Sequence, residues 1–428
     1  MEESNLIAQR IEPKLRMINN GDEEVNTLRA ESSGSVGVTS ALAKRYPQVR
    51  GLQAVPGEPA SVPVPPDMES PPDNVRVSVF VELDEDQDVP TKLPKPTAKR
   101  GKLMTLELKQ SQIQPVSNFE GIAYVTTGDA LTHPRPVRSP EHVNRPSPRS
   151  LYSERAAKGG EGIILGIIDV EGFDFTHPDF LDANGETRFL SIWDQGGKGT
   201  HPALFAYGAE LSQGEMNAAL KWSQKHHVGA TDLLPQSSQI PSAHATHVAS
   251  IAAGNHGVAP KVDIAGVLIA LSPDDRDRRR SFYDSTRLAH AVDYLFALGT
   301  KHKKPVVINI SLGTNGHAHD GSSPISRWID AALTVPGRCV CVAAGNAGQE
   351  APQFSDDLGF MMGRIHTSGR IPASGLETDI DWQVVGNGIS DGSENELEIW
   401  YEPQDRFEIM VKSPSGEWFG PLGPGKYI

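Results

Sequence analysis

Ile163-Ile164-Leu165-Gly166-Ile167-Ile168-Asp169 decides the fold, because an unbroken run of aliphatic residues and glycine ends on a carboxylate. A strand with one wet face alternates apolar and polar residues, whereas a continuous apolar run of this length fits a parallel strand covered on both faces. The same signal returns at 263–269, 306–310 and 339–343. Helical material lies between the runs. In 284–298, Leu288, Ala291, Val292, Leu295 and Phe296 share one side, and a second helix is predicted over 324–335. This alternation predicts an α/β core with a parallel, doubly wound sheet over 160–370, with its functional groups just beyond the strand ends.

The flanks read differently. Residues 1–73 form an irregular N-terminal segment; 30–77 are rich in Ser, Gly and Pro, and 53–73 read as a linker or surface segment. Strand patterns at 75–83, 102–108 and 122–126 predict a small α+β domain with an antiparallel sheet over 74–128. A linker follows over 129–159, proline-rich from His133 to Pro148. After residue 370 the period changes again. Strands are expected at 382–385, 396–401 and 407–412, with a turn at Ser413-Pro414-Ser415-Gly416, so 371–428 reads as a β-rich portion. That sheet is expected to be unfinished, which calls for further polypeptide on the same product or on a separate chain.

Composition bounds the function. The chain has 428 residues, with 54 acidic against 40 basic side chains and a formal charge of -14, which argues against a nucleic-acid surface. The run Arg276-Asp277-Arg278-Arg279-Arg280 reads as a solvated approach to a helix, with an anionic partner as the alternative. No apolar stretch is long enough to span a bilayer and no basic-then-apolar leader is evident, so no membrane partner is expected and a cytoplasmic location is predicted. Cys339 and Cys341 fall on one face of a strand and are expected to be buried and free. A metal site there lacks further ligands at a convincing spacing.

Three polar residues sit where chemistry is expected. Asp169 ends the first apolar strand, where a carboxylate can be held rigid at a cleft rim. A turn or cap is the plainer reading, and Glu171 and Asp174 are nearby alternatives. Phe173, Asp174, His177, Pro178 and Asp179 are expected to shape the following loop. His244 opens the run His244-Ala245-Thr246-His247-Val248-Ala249, whose small residues suggest a closely packed helix start. His244 and His247 could share a metal at i, i+3, but no glutamate stands at metalloprotease spacing. His244 therefore takes the general-base role, and His247 is expected to be packed and hydrogen-bonded. Asn346 follows Val340-Cys341-Val342-Ala343-Ala344-Gly345 at another strand end, where an amide can donate to a developing oxyanion, although a turn is the local alternative. Ser311, Leu312 and Gly313, after Asn309-Ile310, are expected to offer backbone to an extended peptide.

Together these segments resemble the subtilisin-like serine proteases. The resemblance rests on Gly166-Ile167-Ile168-Asp169, His244-Ala245-Thr246-His247-Val248-Ala249, Gly257-Val258-Ala259-Pro260, Asn309-Ile310-Ser311-Leu312-Gly313 and Ala343-Ala344-Gly345-Asn346, in that order across 160–350. It implies that Asp169 orients His244, that His244 acts as the base toward a seryl hydroxyl, and that Asn346 stabilises the oxyanion. Ala245 departs from the family's usual glycine. The family's nucleophile lies in a later Gly-Thr-Ser motif, and none follows Asn346; Gly321-Ser322-Ser323-Pro324 comes too early. The resemblance also likens 74–128 to the family's inhibitory, folding-assisting propeptides, and the region after 370 to β-sandwich insertions of some bacterial members. It implies a serine endopeptidase whose serine lies in a C-terminal continuation or fragment, acting on protein or peptide substrates. The chemistry would need no cofactor, although structural calcium is a family habit. The alternative is a catalytically silent homologue that binds peptide or regulates a partner.

Overall fold

The computed structural model describes residues 10–12, 15, 76–128, 131, 159–238, 244–270, 285–314, 316–345, 367–382, 397–402 and 404–424. Its centre is a six-stranded sheet in the order β10-β9-β5-β8-β6-β7. The strands are β5 (Ile164–Asp169), β6 (Phe189–Asp194), β7 (Ala209–Ser212), β8 (Asp263–Leu268), β9 (Val306–Ile310) and β10 (Arg338–Val342). All neighbours pair in parallel except β6 and β7, so the sheet is parallel with one antiparallel edge strand. This is an α/β core: a mostly parallel sheet flanked by helices. The four apolar runs of the sequence are β5, β8, β9 and β10.

Strand alternation assigns each side chain of β5 to one layer. Ile164 and Ile168 enter the cluster beneath α5 (Ser285–His302) and α6 (Pro324–Leu333). Leu165 and Ile167 enter the opposite cluster, with Met216, Ala219 and Leu220 of α2 (Gln213–His226) and with Ala245, Ala249 and Ala253 of α4 (His244–Ala253). The short α3 (Ala230–Leu233) adds Ala230 to that side. Gly166 lies on the α5 face, where an added Cβ would come within 2.6 Å of Leu295 Cδ1; this glycine lets the helix settle onto the strand. Gly266 does the same on β8, where a Cβ would meet the Phe173 ring at 2.8 Å. Ala245 is fully buried in the α4 cluster, so its methyl group is accommodated.

A separate antiparallel sheet, ordered β2-β3-β1-β4, is built from β1 (Arg76–Leu83), β2 (Ala98–Arg100), β3 (Leu103–Lys109) and β4 (Ile122–Thr127). With α1 (Gln110–Ser117) it encloses its own core of Val79, Val81, Leu106, Leu108, Ile113 and Val125. Phe80 and Leu103 face outward into a small cluster with Ala289 of α5 and Trp328 of α6. Phe80 and Trp328 meet edge to face at 6.3 Å. Polar contacts surround that plug. Arg327 donates two bonds to Glu82, at 2.6 and 2.5 Å, and Arg100 pairs with Asp293 at 2.5 Å. Thr105 Oγ1 lies 2.8 Å from His290 Nε2, whose Nδ1 is 2.8 Å from the Tyr207 hydroxyl. Burial raises the Asp293 carboxyl above its usual range, and the bonds from Arg100 and Trp328 offset this only in part.

Several expectations need correction. Residues 397–401 form no strand; instead, Glu398 accepts hydrogen bonds from His317 N at 2.9 Å and Trp400 Nε1 at 3.0 Å. The strand expected at 407–412 is the shorter β11 (Ile409–Lys412), paired with β12 (Trp418–Leu422) across the Ser413–Gly416 turn. Cys339 and Cys341 are exposed, not buried, because β10 is an edge strand and both thiols stand on its uncovered face. Partial desolvation by neighbouring groups, together with the adjacent Cys339 thiol, still pushes the exposed Cys341 thiol up. His247 is exposed rather than packed. Ala245, Ala249 and Ala253 define the inward stripe of α4, and a position two residues from Ala245 is rotated by about 200° toward solvent. The arginine run at 276–280, residues 383–385 of the strand expected at 382–385 and the segments 16–75 and 132–158 lie outside the described residues.

Candidate active site

The same alternation that sorts β5 places Asp169 on the α4 face, at the C-terminal edge of the sheet. His244 is the first residue of α4 and meets it there. His244 Nδ1 lies 2.7 Å from Asp169 Oδ2, and the carboxylate is wholly buried. Asp169 Oδ1 accepts from Val170 N at 2.8 Å and from Glu171 N at 3.2 Å, so the strand end itself fixes the carboxylate plane. An acceptor at Nδ1 assigns the ring proton to that atom and makes Nε2 the basic nitrogen. The hydrogen bond that Asp169 accepts raises the His244 pKa above the ordinary imidazole value; burial opposes this, and the charges of Asp169 and Glu171 add to the rise.

Helix α4 is held at both ends. At its start, Glu171 Oε2 accepts the His244 backbone N–H at 2.5 Å, and Thr246 Oγ1 accepts from Asp174 N at 2.9 Å. At its end, Asp179 accepts from Ser250 Oγ at 2.6 Å and from His256 N at 3.2 Å, with His256 Nδ1 at 3.0 Å. Burial opposes ionisation of Asp179, but these bonds outweigh it and hold the carboxyl below its usual range. Phe173, Asp174, His177, Pro178 and Asp179 therefore shape the loop, as expected. Gly257-Val258-Ala259-Pro260 follows from α4, with Val258 N and Ala259 N bonded to Ile251 O and Ala252 O.

Neighbouring strand ends complete the edge. Strands β10, β9 and β5 are adjacent and parallel, so Ser311-Leu312-Gly313 and residues 343–345 leave the sheet beside Asp169. Ala343 N donates to Ile310 O at 2.9 Å, which holds those two segments side by side. The Leu312 side chain is core, and Ser311 Oγ accepts from Asn309 Nδ2 at 2.8 Å, so this stretch would engage a ligand through its backbone. Asn346 lies just past Gly345 and outside the described residues. Ser323 caps α6 by accepting from Ser326 N, and Ser322 N donates to Asp320, so both serve the helix start. Among the described residues no group of three His, Cys, Asp or Glu is placed to hold a metal ion. Glu171 is the residue that sequence reading undervalued; its lone signal was proximity to Asp169.

Residues 160–360 match the model of the Subtilase family, so the chain carries a subtilase-like domain over that span. Among solved structures, the CspB protease of Clostridium perfringens is 31% identical, covering 47% of this chain and 39% of its own, with a TM-score of 0.38. Fervidolysin from Fervidobacterium pennivorans, described as a keratinolytic enzyme related to subtilisin, is 18% identical, covering 64% of this chain and 40% of its own, with a TM-score of 0.34. The chain thus spans about two fifths of the length of each. No curated protein matches it.

Proposed function

We propose that this chain is the acid- and base-bearing part of a subtilisin-like serine endopeptidase, with the seryl nucleophile supplied by polypeptide outside these 428 residues. The single observation that carries the reading is the buried Asp169 bonded to His244 Nδ1 at 2.7 Å, within the span that the Subtilase family matches. In this reading His244 Nε2 takes the proton of the serine hydroxyl as it attacks a peptide carbonyl and returns it to the leaving amine. Asp169 holds the tautomer and stabilises the imidazolium. Asn346 would donate to the oxyanion, and Ser311–Gly313 would align the substrate backbone. The chemistry draws on no cofactor. The β1–β4 sheet on α5 and α6 is the counterpart of a folding-assisting propeptide, and the region after 370 is part of a β-sandwich insertion.

The test is a serine-directed phosphonate probe applied to the full-length gene product. The expected result is labelling of one serine beyond residue 428, lost together with peptide cleavage in His244→Ala. A full-length product that binds peptide without labelling or cleavage would replace the reading with that of a silent homologue.

A further inference from the structure

We propose that Glu171 is a positioning residue for His244: its carboxylate anchors the base-bearing end of α4 and brings a second negative charge to the imidazole. The inference rests on the proteolytic reading for its purpose, but not for its geometry. His244 is the first residue of α4, where backbone N–H groups point out of the helix end. Glu171 Oε2 accepts that of His244 at 2.5 Å. The amino end of a helix carries partial positive charge, which by itself disfavours an imidazolium placed there. A carboxylate on that end reverses the local sign.

The arm that carries Glu171 is rigid. Asp169 Oδ1 accepts the Glu171 N–H, so the two anionic partners of His244 are tied to each other. The next residue, Gly172, packs so closely that an added Cβ would sit 2.3 Å from Ser238 O. Phe173 exchanges two hydrogen bonds with the buried side chain of Gln236, at 2.9 and 2.7 Å. Together these contacts fix where the Glu171 side chain departs. Among the described residues, other ionisable groups around α4 are engaged elsewhere: Asp174 with Thr176, Asp179 with Ser250 and His256 and Arg188 with the Ala253 carbonyl at the far end, and His247 exposed to solvent. The raised pKa of His244, to which the Glu171 charge contributes, agrees with this arrangement.

The test follows the Cε1–H resonance of His244 by NMR through a pH titration of the 428-residue chain in wild type, Glu171→Gln, Glu171→Ala and Asp169→Asn. Glu171→Gln keeps an acceptor for the helix N–H and removes the charge; its titration midpoint should move to lower pH, by less than that of Asp169→Asn. Glu171→Ala should move it the same way and lower the melting temperature as well. A midpoint in Glu171→Gln equal to wild type, with the fold intact by circular dichroism, overturns the proposal. If Glu171→Gln does not fold, the same comparison is read from Glu171→Asp, which keeps the charge at shorter reach and should titrate nearer to wild type than Glu171→Ala; equal midpoints overturn it. The titration reads the histidine directly, so a full-length product that never cleaves peptide would sink the proteolytic reading and leave this result standing or falling by itself.

Discussion

Asp169 has no exposure to water, and what makes its burial tolerable is a full set of donors: His244 Nδ1–H and two backbone N–H groups. Asp169→Asn would keep the shape and lose the proton-holding acceptor. On the proposed proteolytic reading, peptide cleavage by the full-length product is expected to fall by about 10⁴-fold, measured as kcat, with KM little changed. On that reading the pH profile follows from the raised His244 pKa. A general base works when neutral, so the acid limb of kcat/KM should lie above the ordinary imidazole value and activity should rise through it. In stability the sign reverses. A His whose folded pKa is raised contributes most below its unfolded value, and that contribution is lost as pH climbs through the folded one. Asp179 has the opposite dependence, since its carboxyl is held down by Ser250 and His256 against burial. Its contribution is present above the normal carboxylate value and lost as pH falls through the lowered one. Asp179→Ala should cost about 1–3 kcal/mol at neutral pH in urea melts, because the Ser250 hydroxyl and the turn after α4 lose their acceptor. Asp169 and His244 were legible in the sequence because each sits at a position the fold's periodicity marks, a strand end and a helix start. His247 was not, because its exposure depends on which stripe of α4 faces the sheet.

At the level of elements, the sheet was the most readable part of the chain. Strands β5, β8, β9 and β10 announce themselves as short apolar runs, since burial on both faces leaves no room for polar alternation. The failure at 397–401 has the opposite origin. Ile, Trp and Tyr favour strands, but a strand needs a backbone partner, and here the segment is tied to His317 N through the Glu398 side chain instead. The joint between the β1–β4 sheet and the core was also unreadable, because Thr105 and His290 lie far apart in sequence and meet only through the fold. That joint makes its own prediction. Trp328 is fully buried between the two bodies, so Trp328→Ala should cost about 3–5 kcal/mol. Hydrogen exchange should then quicken in β1–β3 far more than in β5 or β8; uniform acceleration would mean that the plug supports the core and not the docking.

For the molecule as a whole, charge and apolar exposure pull in opposite directions. A net charge of -14 keeps copies apart, yet Val342, Trp400 and Trp418 are each more than half exposed. Exposed apolar side chains, with β10 an edge strand among the described residues, favour association. The 428-residue chain should therefore self-associate in light scattering as salt screens its charge, and a monomer at all ionic strengths would refute this. The parity of β5 has one more consequence, for how the chain tolerates changes of length. Its odd positions face α4 and its even positions face α5, so inserting or deleting one residue within 164–168 would swing Asp169 to the opposite layer and bring the larger Leu165 or Ile167 against Leu295. The turn at Asp182–Glu186, closed by bonds from Asn184 N and Glu186 N to Asp182 Oδ1, faces no such demand. Length variation in this domain is therefore permitted at that turn and forbidden within the five residues before Asp169, a rule set by geometry before any chemistry is selected.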